Sequence, residues 1–87
     1  MPSFYVYILE CIDKQKKTSY YTGYTQDLKK RFDQHRTGKG ARYTKGKGLT
    51  LLHTEFFSTR SEAMKRELEI KKMTKKQKKE LIQGENN

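Results

Sequence analysis

Leu28, Arg31, Phe32 and His35 follow the i, i+3, i+4, i+7 spacing of a buried helical stripe, yet two of the four are not apolar. At about 100° per residue they fall within an arc of about 100°, so Arg31 and His35 share the face of Leu28 and Phe32 and point away from Lys29 and Lys30. Ala63, Glu67 and Ile70 repeat the pattern farther along, with a carboxylate flanked by apolar residues. Burying an unpaired carboxylate is costly. Glu67 therefore pairs with a cation such as Arg31, or coordinates a metal at a sheet edge, or sits on a helix rotated so that Met64 and Leu68 face inward. Structural ion pairs are common, so the paired or exposed readings lead on spacing alone. Six tyrosines on a small sheet serve packing more often than chemistry, but Tyr7 and Tyr21 stand on strand-like segments where they become candidate cross-strand neighbours. If Tyr7, Tyr21, Arg31, His35 and Glu67 converge, they supply a proton acceptor, a cation for charge building on a phosphorane, and a hard oxygen ligand for Mg²⁺. Those are the requirements of phosphodiester cleavage.

Positioning such a set falls to a few short elements. Phe4 to Leu9 is aromatic and β-branched, and its alternation places Phe4, Val6 and Ile8 on one face and Tyr5, Tyr7 and Leu9 on the other. Asp13 to Thr18 reads as a hairpin connection and Ser19 to Tyr24 as the antiparallel return, with Gly23 allowing another group to approach closely. Thr25 reads as the N-cap of a helix from Asp27 to Arg36. Gly38 to Gly48 reads as loop without regular structure, and Leu49 to Phe57 as a third strand. Thr59-x-x-Glu62 resembles a capping box opening a helix from Glu62 to Met73, and Thr74-x-x-Gln77 resembles another, opening a last helix through Ile82. The expected class is α+β, a three-stranded mainly antiparallel sheet flanked by helices in the order β-β-α-β-α-α. Residues 1–83 form one domain in this reading, and residues 84–87 a frayed tail.

Composition points to an anionic partner, with lysine-rich helix faces that are merely solvated surface as the alternative. Twenty Lys and Arg against 10 acidic residues leave a net charge of +10 on 87 residues, and charge spread this widely suits a polyphosphate backbone better than a single acidic metabolite. The basic helices lack a Trp, Phe and Leu face to enter lipid, and no apolar run approaches the roughly 20 residues that span a bilayer. With no signal-like segment ahead of the first strand, the expected location is cytoplasmic. Cys11, the one cysteine, reads as a buried core residue. At 32% hydrophobic residues the core is small.

The glycine- and lysine-rich segment fails as a phosphate-binding Walker loop, because five residues separate Gly40 from Gly46 and Gly48 follows Lys47. Zinc is disfavoured, since His35, His53 and Cys11 lack ligand spacing. The segment instead reads as a flexible connector or as a contact for nucleic-acid backbone, with Lys39, Arg42, Lys45 and Lys47 for phosphates and Tyr43 for stacking. Lys71, Lys72, Lys75 and Lys76 extend the basic surface toward the C-terminal end.

These residues resemble a known family. Tyr5-Val6-Tyr7 and Tyr21-Thr22-Gly23 resemble the paired tripeptides that name the GIY-YIG nuclease superfamily. Arg31 lies ten residues beyond Tyr21 and His35 four beyond that, similar to the family's helix arginine and the tyrosine or histidine after it. Ala63 to Glu67, with Ile70 and Lys71, resembles the helix bearing the family's metal-binding glutamate. Gly38-Lys39-Gly40-Ala41 and Arg60-Ser61-Glu62-Ala63 are similar to the small, single-domain bacterial branch.

The resemblance implies a low-specificity endonuclease in which Glu67 holds one divalent ion, Mg²⁺ or Mn²⁺, on the scissile phosphate. Tyr7 or Tyr21 orients or deprotonates water, His35 assists and Arg31 steadies the phosphate charge. It implies nucleic acid as substrate, DNA ahead of RNA, with specificity drawn from substrate shape or from a protein partner. A tyrosine base needs help, because its ordinary pKa of about 10 is far from neutrality. Three departures stand out: Tyr5 replaces the glycine of the first motif, Thr22 occupies the middle of the second, and the family's Pro-x-Tyr-Asn ending is missing after Lys71, with Asn86 and Asn87 left to the tail. The alternatives are a binding module on the same fold that has lost cleavage, and a basic ribonucleoprotein accessory that needs only the lysines.

Overall fold

A computed structural model describes residues 2–84, so the tail beyond Gly84, including Asn86 and Asn87, lies outside the described residues. Three strands, β1 (Phe4–Ile12), β2 (Thr18–Thr25) and β3 (Gly48–Phe57), form one antiparallel sheet in the order β2-β1-β3. Three helices, α1 (Leu28–Arg36), α2 (Arg60–Lys71) and α3 (Lys75–Gln83), complete the order β-β-α-β-α-α.

Alternation along β1 gives the central strand two apolar faces. Phe4, Val6 and Ile8 pack with Ala63 and Ile70 of α2 and with Leu81 and Ile82 of α3. Tyr7, Leu9 and Cys11 face the other way, against Leu28 and Phe32 of α1. Each fully buried aliphatic side chain contributes roughly 1.5–3 kcal/mol, which makes β1 the spine of this small core.

β1 runs past its expected end because Cys11 and Ile12 still find partners in Ser19 and Thr18. Asp13 then turns the chain, its carboxylate accepting from the backbone amides of Gln15 and Lys17 at 2.9 Å each. A register shift between Ile8 and Leu9 leaves Leu52 of β3 without a counterpart, which is a β-bulge.

Helix starts differ from expectation in two places. Asp27, not Thr25, caps α1: its carboxylate accepts from the Lys30 amide at 3.0 Å, while Thr25 Oγ1 accepts from the Asp27 amide one step earlier. α2 begins at Arg60 and ends at Lys71, a shift toward the N-terminus from the expected Glu62–Met73. Thr59 caps it, but the Glu62 carboxylate accepts from the Thr59 hydroxyl at 3.0 Å and not from the Thr59 amide, so the box is half made. The box at Thr74 and Gln77 is complete. The extended Thr74 starts α3 after α2 has closed at Lys72, and Leu81 and Ile82 of α3 pack back onto the core.

Candidate active site

β1 and β2 set the tyrosines. Tyr7 pairs with Gly23 and Leu9 with Tyr21, so Tyr7 and Tyr21 are diagonal neighbours and not directly opposite, with ring centroids 6.5 Å apart. Directly opposite Tyr7 stands Gly23, where a Cβ would overlap the Tyr7 hydroxyl. Glycine here makes room for a tyrosine ring.

Helical spacing brings His35 onto the same face. Its ring lies 5.8 Å from that of Tyr7 and 5.3 Å from that of Tyr21, centroid to centroid. Nε2 is 3.0 Å from the Tyr7 hydroxyl and Nδ1 is 2.8 Å from Thr44 Oγ1. Thr44 comes from a short 3₁₀ turn, Arg42–Thr44, inside the segment expected to lack regular structure. The Thr44 hydroxyl donates to the Ala41 carbonyl at 3.0 Å, so its oxygen accepts from His35 Nδ1–H. Nε2 then carries the lone pair of a neutral ring and accepts the Tyr7 proton. Gly40 completes the pocket, since a Cβ there would overlap the imidazole.

Electrostatics agree with that proton placement. Burial lowers the His35 pKa below its ordinary 6.5, and the Arg31 guanidinium lowers it further. Burial pushes Tyr7 up to about 12, Tyr21 and Glu67 reinforce the shift, and Arg31 opposes it. The charges of Arg31 and Glu67 thus both bear on the hydroxyl that His35 holds.

Arg31 is half-buried beside Tyr7, Leu9 and Phe32 on one side and lines a surface cleft of about 440 Å³ on the other, with Lys30 and Arg60. Ala63 and Ile70 are buried while Met64 and Leu68 are exposed, which excludes the rotated-helix alternative. Glu67 is 17% exposed and pairs with Lys71 at 3.6 Å, one turn along α2, not with Arg31. One residue before Glu67, Arg66 reaches β3, where Glu55 accepts two bonds from it, at 2.7 and 3.0 Å, and one from His53 at 2.8 Å. This clamp fixes the rotation of α2. Burial alone would raise the Glu55 pKa, but the bonds from Arg66 and His53 hold it below the ordinary carboxylate value.

Among the described residues no group of three or more His, Cys, Asp or Glu side chains converges, so no closed cage of protein ligands is built. One carboxylate is still a fitting donor for Mg²⁺ or Mn²⁺, which keep several waters and take remaining oxygens from substrate phosphate. Lys71 must then yield its place at Glu67.

The basic residues divide. Tyr43 stacks on Tyr21 with centroids 6.0 Å apart, and Lys47 Nζ sits 3.6 Å from the Tyr43 ring centroid. Lys71 and Lys78 flank the same edge of β2. Lys75 Nζ donates to the Thr18 carbonyl at 2.6 Å, tying α3 to the hairpin. Lys39, Arg42, Lys45, Lys72 and Lys76 are exposed. Sequence reasoning missed Thr44, Gly40 and the Glu55–Arg66 clamp. A threonine nine residues after His35 in a glycine-rich segment carries no periodic signal.

The family described as the GIY-YIG catalytic domain matches residues 3–80. A UPF0213 protein of Halobacterium salinarum is 47% identical over 90% of this chain and 97% of its own length. Another, of Staphylococcus haemolyticus, is 45% identical over 95% of this chain and 98% of its own. Among solved structures, a solution NMR structure of a protein from E. faecalis has a TM-score of 0.65 at 39% identity, covering 99% of this chain and 88% of that one. The solution NMR structure of a UPF0213 protein from Bacillus halodurans has a TM-score of 0.54 at 40% identity, covering 93% and 83%. No helix among the described residues is long and apolar enough to cross a membrane.

Proposed function

The chain belongs to the GIY-YIG catalytic domain family, and from that premise we propose that it is a divalent-metal-dependent endonuclease of low sequence specificity. The observation that carries this reading is the Tyr7 hydroxyl: it is bonded to a neutral His35 while Arg31 and Glu67 act on it from two other elements. In this proposal the Tyr7 oxygen accepts a proton from the attacking water as its own proton passes to His35 Nε2. The water oxygen bonds to phosphorus and the bond to the leaving sugar oxygen breaks, the departing oxygen taking a proton from solvent. A free Tyr7 phenolate is out of reach near neutrality with the pKa pushed to about 12, so the relay to His35 is what makes Tyr7 a usable base. Arg31, open to the basic cleft, offsets the charge on the phosphoryl oxygens. Glu67 would hold the Mg²⁺ or Mn²⁺, which when bound supplies positive charge to the scissile phosphate. Tyr21 packs on His35 and limits its motion.

Cleavage of labelled DNA and RNA with Mg²⁺ or Mn²⁺ tests this. Wild type should cut, and Glu67→Gln and Arg31→Ala should each lose activity by about 100-fold or more, in line with removal of one charge-stabilising group. Wild type that cuts no faster than Glu67→Gln sinks the assignment. The Glu67–Lys71 ion pair supports a second reading, a nucleic-acid-binding module whose carboxylate is occupied by its own lysine. In that case salt-sensitive binding persists in Glu67→Gln and no metal restores cleavage.

A further inference from the structure

Tyr43 is 44% exposed, yet the turn that carries it is held fast, because the next residue, Thr44, is 0% exposed and bonded to His35 at 2.8 Å. One aromatic ring is thus presented to solvent from a rigid mount, backed by Tyr21 in a stacked arrangement with a 23° interplanar angle. Beside it lies a hollow of about 260 Å³ lined by Tyr20, Tyr21, Thr22, Tyr43, Lys71 and Lys78.

We propose that the exposed Tyr43 ring, at the rim of this hollow, is a subsite for one unpaired nucleobase stacked where Lys47 now lies, so that the substrate carries an unpaired nucleotide next to the scissile phosphate. The inference rests on the nuclease reading for the position of that phosphate, but the stacking itself does not. A paired base within a duplex has both faces covered by its neighbours, and only an unstacked or single-stranded base offers a face to a protein ring. Lys47 now covers the Tyr43 ring. An exposed ammonium on a ring is worth a factor of about 2–5, whereas a base on an aromatic ring is worth about 5- to 150-fold. The base displaces the ammonium, and Lys47 is freed for a phosphate. Lys71 and Lys78 flank the hollow for the phosphates on either side. The subsite adjoins the proposed reaction centre twice, through Tyr21, which packs on His35, and through Lys71, which pairs with Glu67. When phosphate draws Lys71 away, the Glu67 carboxylate is released for its metal, so substrate binding and metal binding reinforce each other.

The chain has no tryptophan, so Tyr43→Trp installs a single indole reporter at the subsite. Titrations in EDTA with single-stranded DNA, single-stranded RNA, an intact duplex and a duplex with one bulged nucleotide separate binding from cleavage. Quenching by single strands of either sugar and by the bulge, with little from the intact duplex, is expected. Tyr43→Leu should weaken single-strand binding about 10-fold and leave duplex binding within twofold, and Tyr43→Phe should bind as wild type does. Equal losses on single strand and duplex, or an indole that no single strand quenches, overturns the subsite. Selective quenching without any Mn²⁺-dependent cleavage keeps the subsite and sinks the nuclease reading. Efficient cutting of intact duplex that Tyr43→Leu leaves unchanged does the reverse.

Discussion

Gly40 lies against the imidazole of His35 with no space between them for a β-carbon. Gly40→Ala should push the ring off Tyr7 or the turn off the helix. Overpacking a closed site costs about 1–3 kcal/mol. Thermal unfolding should register a drop of that order, and cleavage should fall more steeply than stability. A variant that melts and cuts as wild type does would show that the loop can retreat freely.

Thr44 is the acceptor for His35 Nδ1–H. Thr44→Val keeps the shape and orphans that buried donor, at a cost of about 1–3 kcal/mol, while Thr44→Ser restores it. The ¹⁵N chemical shifts of the imidazole should show Nδ1 protonated in wild type and in Thr44→Ser, and a mixed tautomer in Thr44→Val. A wild-type ring protonated on Nε2 would contradict the relay from Tyr7.

The depressed His35 pKa has a fixed sign in stability. The folded state favours neutral imidazole, so this contribution is complete above pH 6.5 and is lost as pH falls through the lower folded value. Urea unfolding across that range should show wild type losing stability and His35→Gln losing less. The Glu55 contribution is lost separately, below the ordinary carboxylate value of 4.5, and Glu55→Gln should remove only that lower phase. A single transition shared by both variants would count against assigning the two phases to different clamps.

Thr22 buries a hydroxyl that finds no hydrogen-bond partner among the described residues. An unpaired buried hydroxyl costs about 1–3 kcal/mol by the measure of protein variants. Thr22→Val keeps the shape and drops the hydroxyl, so the melting temperature should rise by a few degrees. A lower melting temperature would mean that the hydroxyl is satisfied in solution.

Much of this arrangement is legible in the chain. Tyr7 declares its face through the strict alternation of β1, and Arg31 and His35 declare theirs because a helical stripe with two polar members is anomalous. Glu67 was harder: spacing placed it between Ala63 and Ile70 but left the rotation of α2 open, and that rotation is set by Arg66 reaching Glu55, eleven residues away on another element. Thr44 and Gly40 were invisible because they act through a turn whose shape follows from contacts with His35. The diagonal of Tyr7 and Tyr21 depends on register, which the Asp13 turn fixes and composition does not.

The proposed reaction centre draws on four separate elements, from Tyr7 on the first strand to Glu67 on the penultimate helix. During vectorial synthesis the tyrosines, the arginine and the histidine leave the ribosome ahead of the carboxylate. A nascent chain lacking α2 has neither Glu67 nor the Ala63 and Ile70 that cover one face of β1, so the proposed set can come together only once the sheet is closed from both sides.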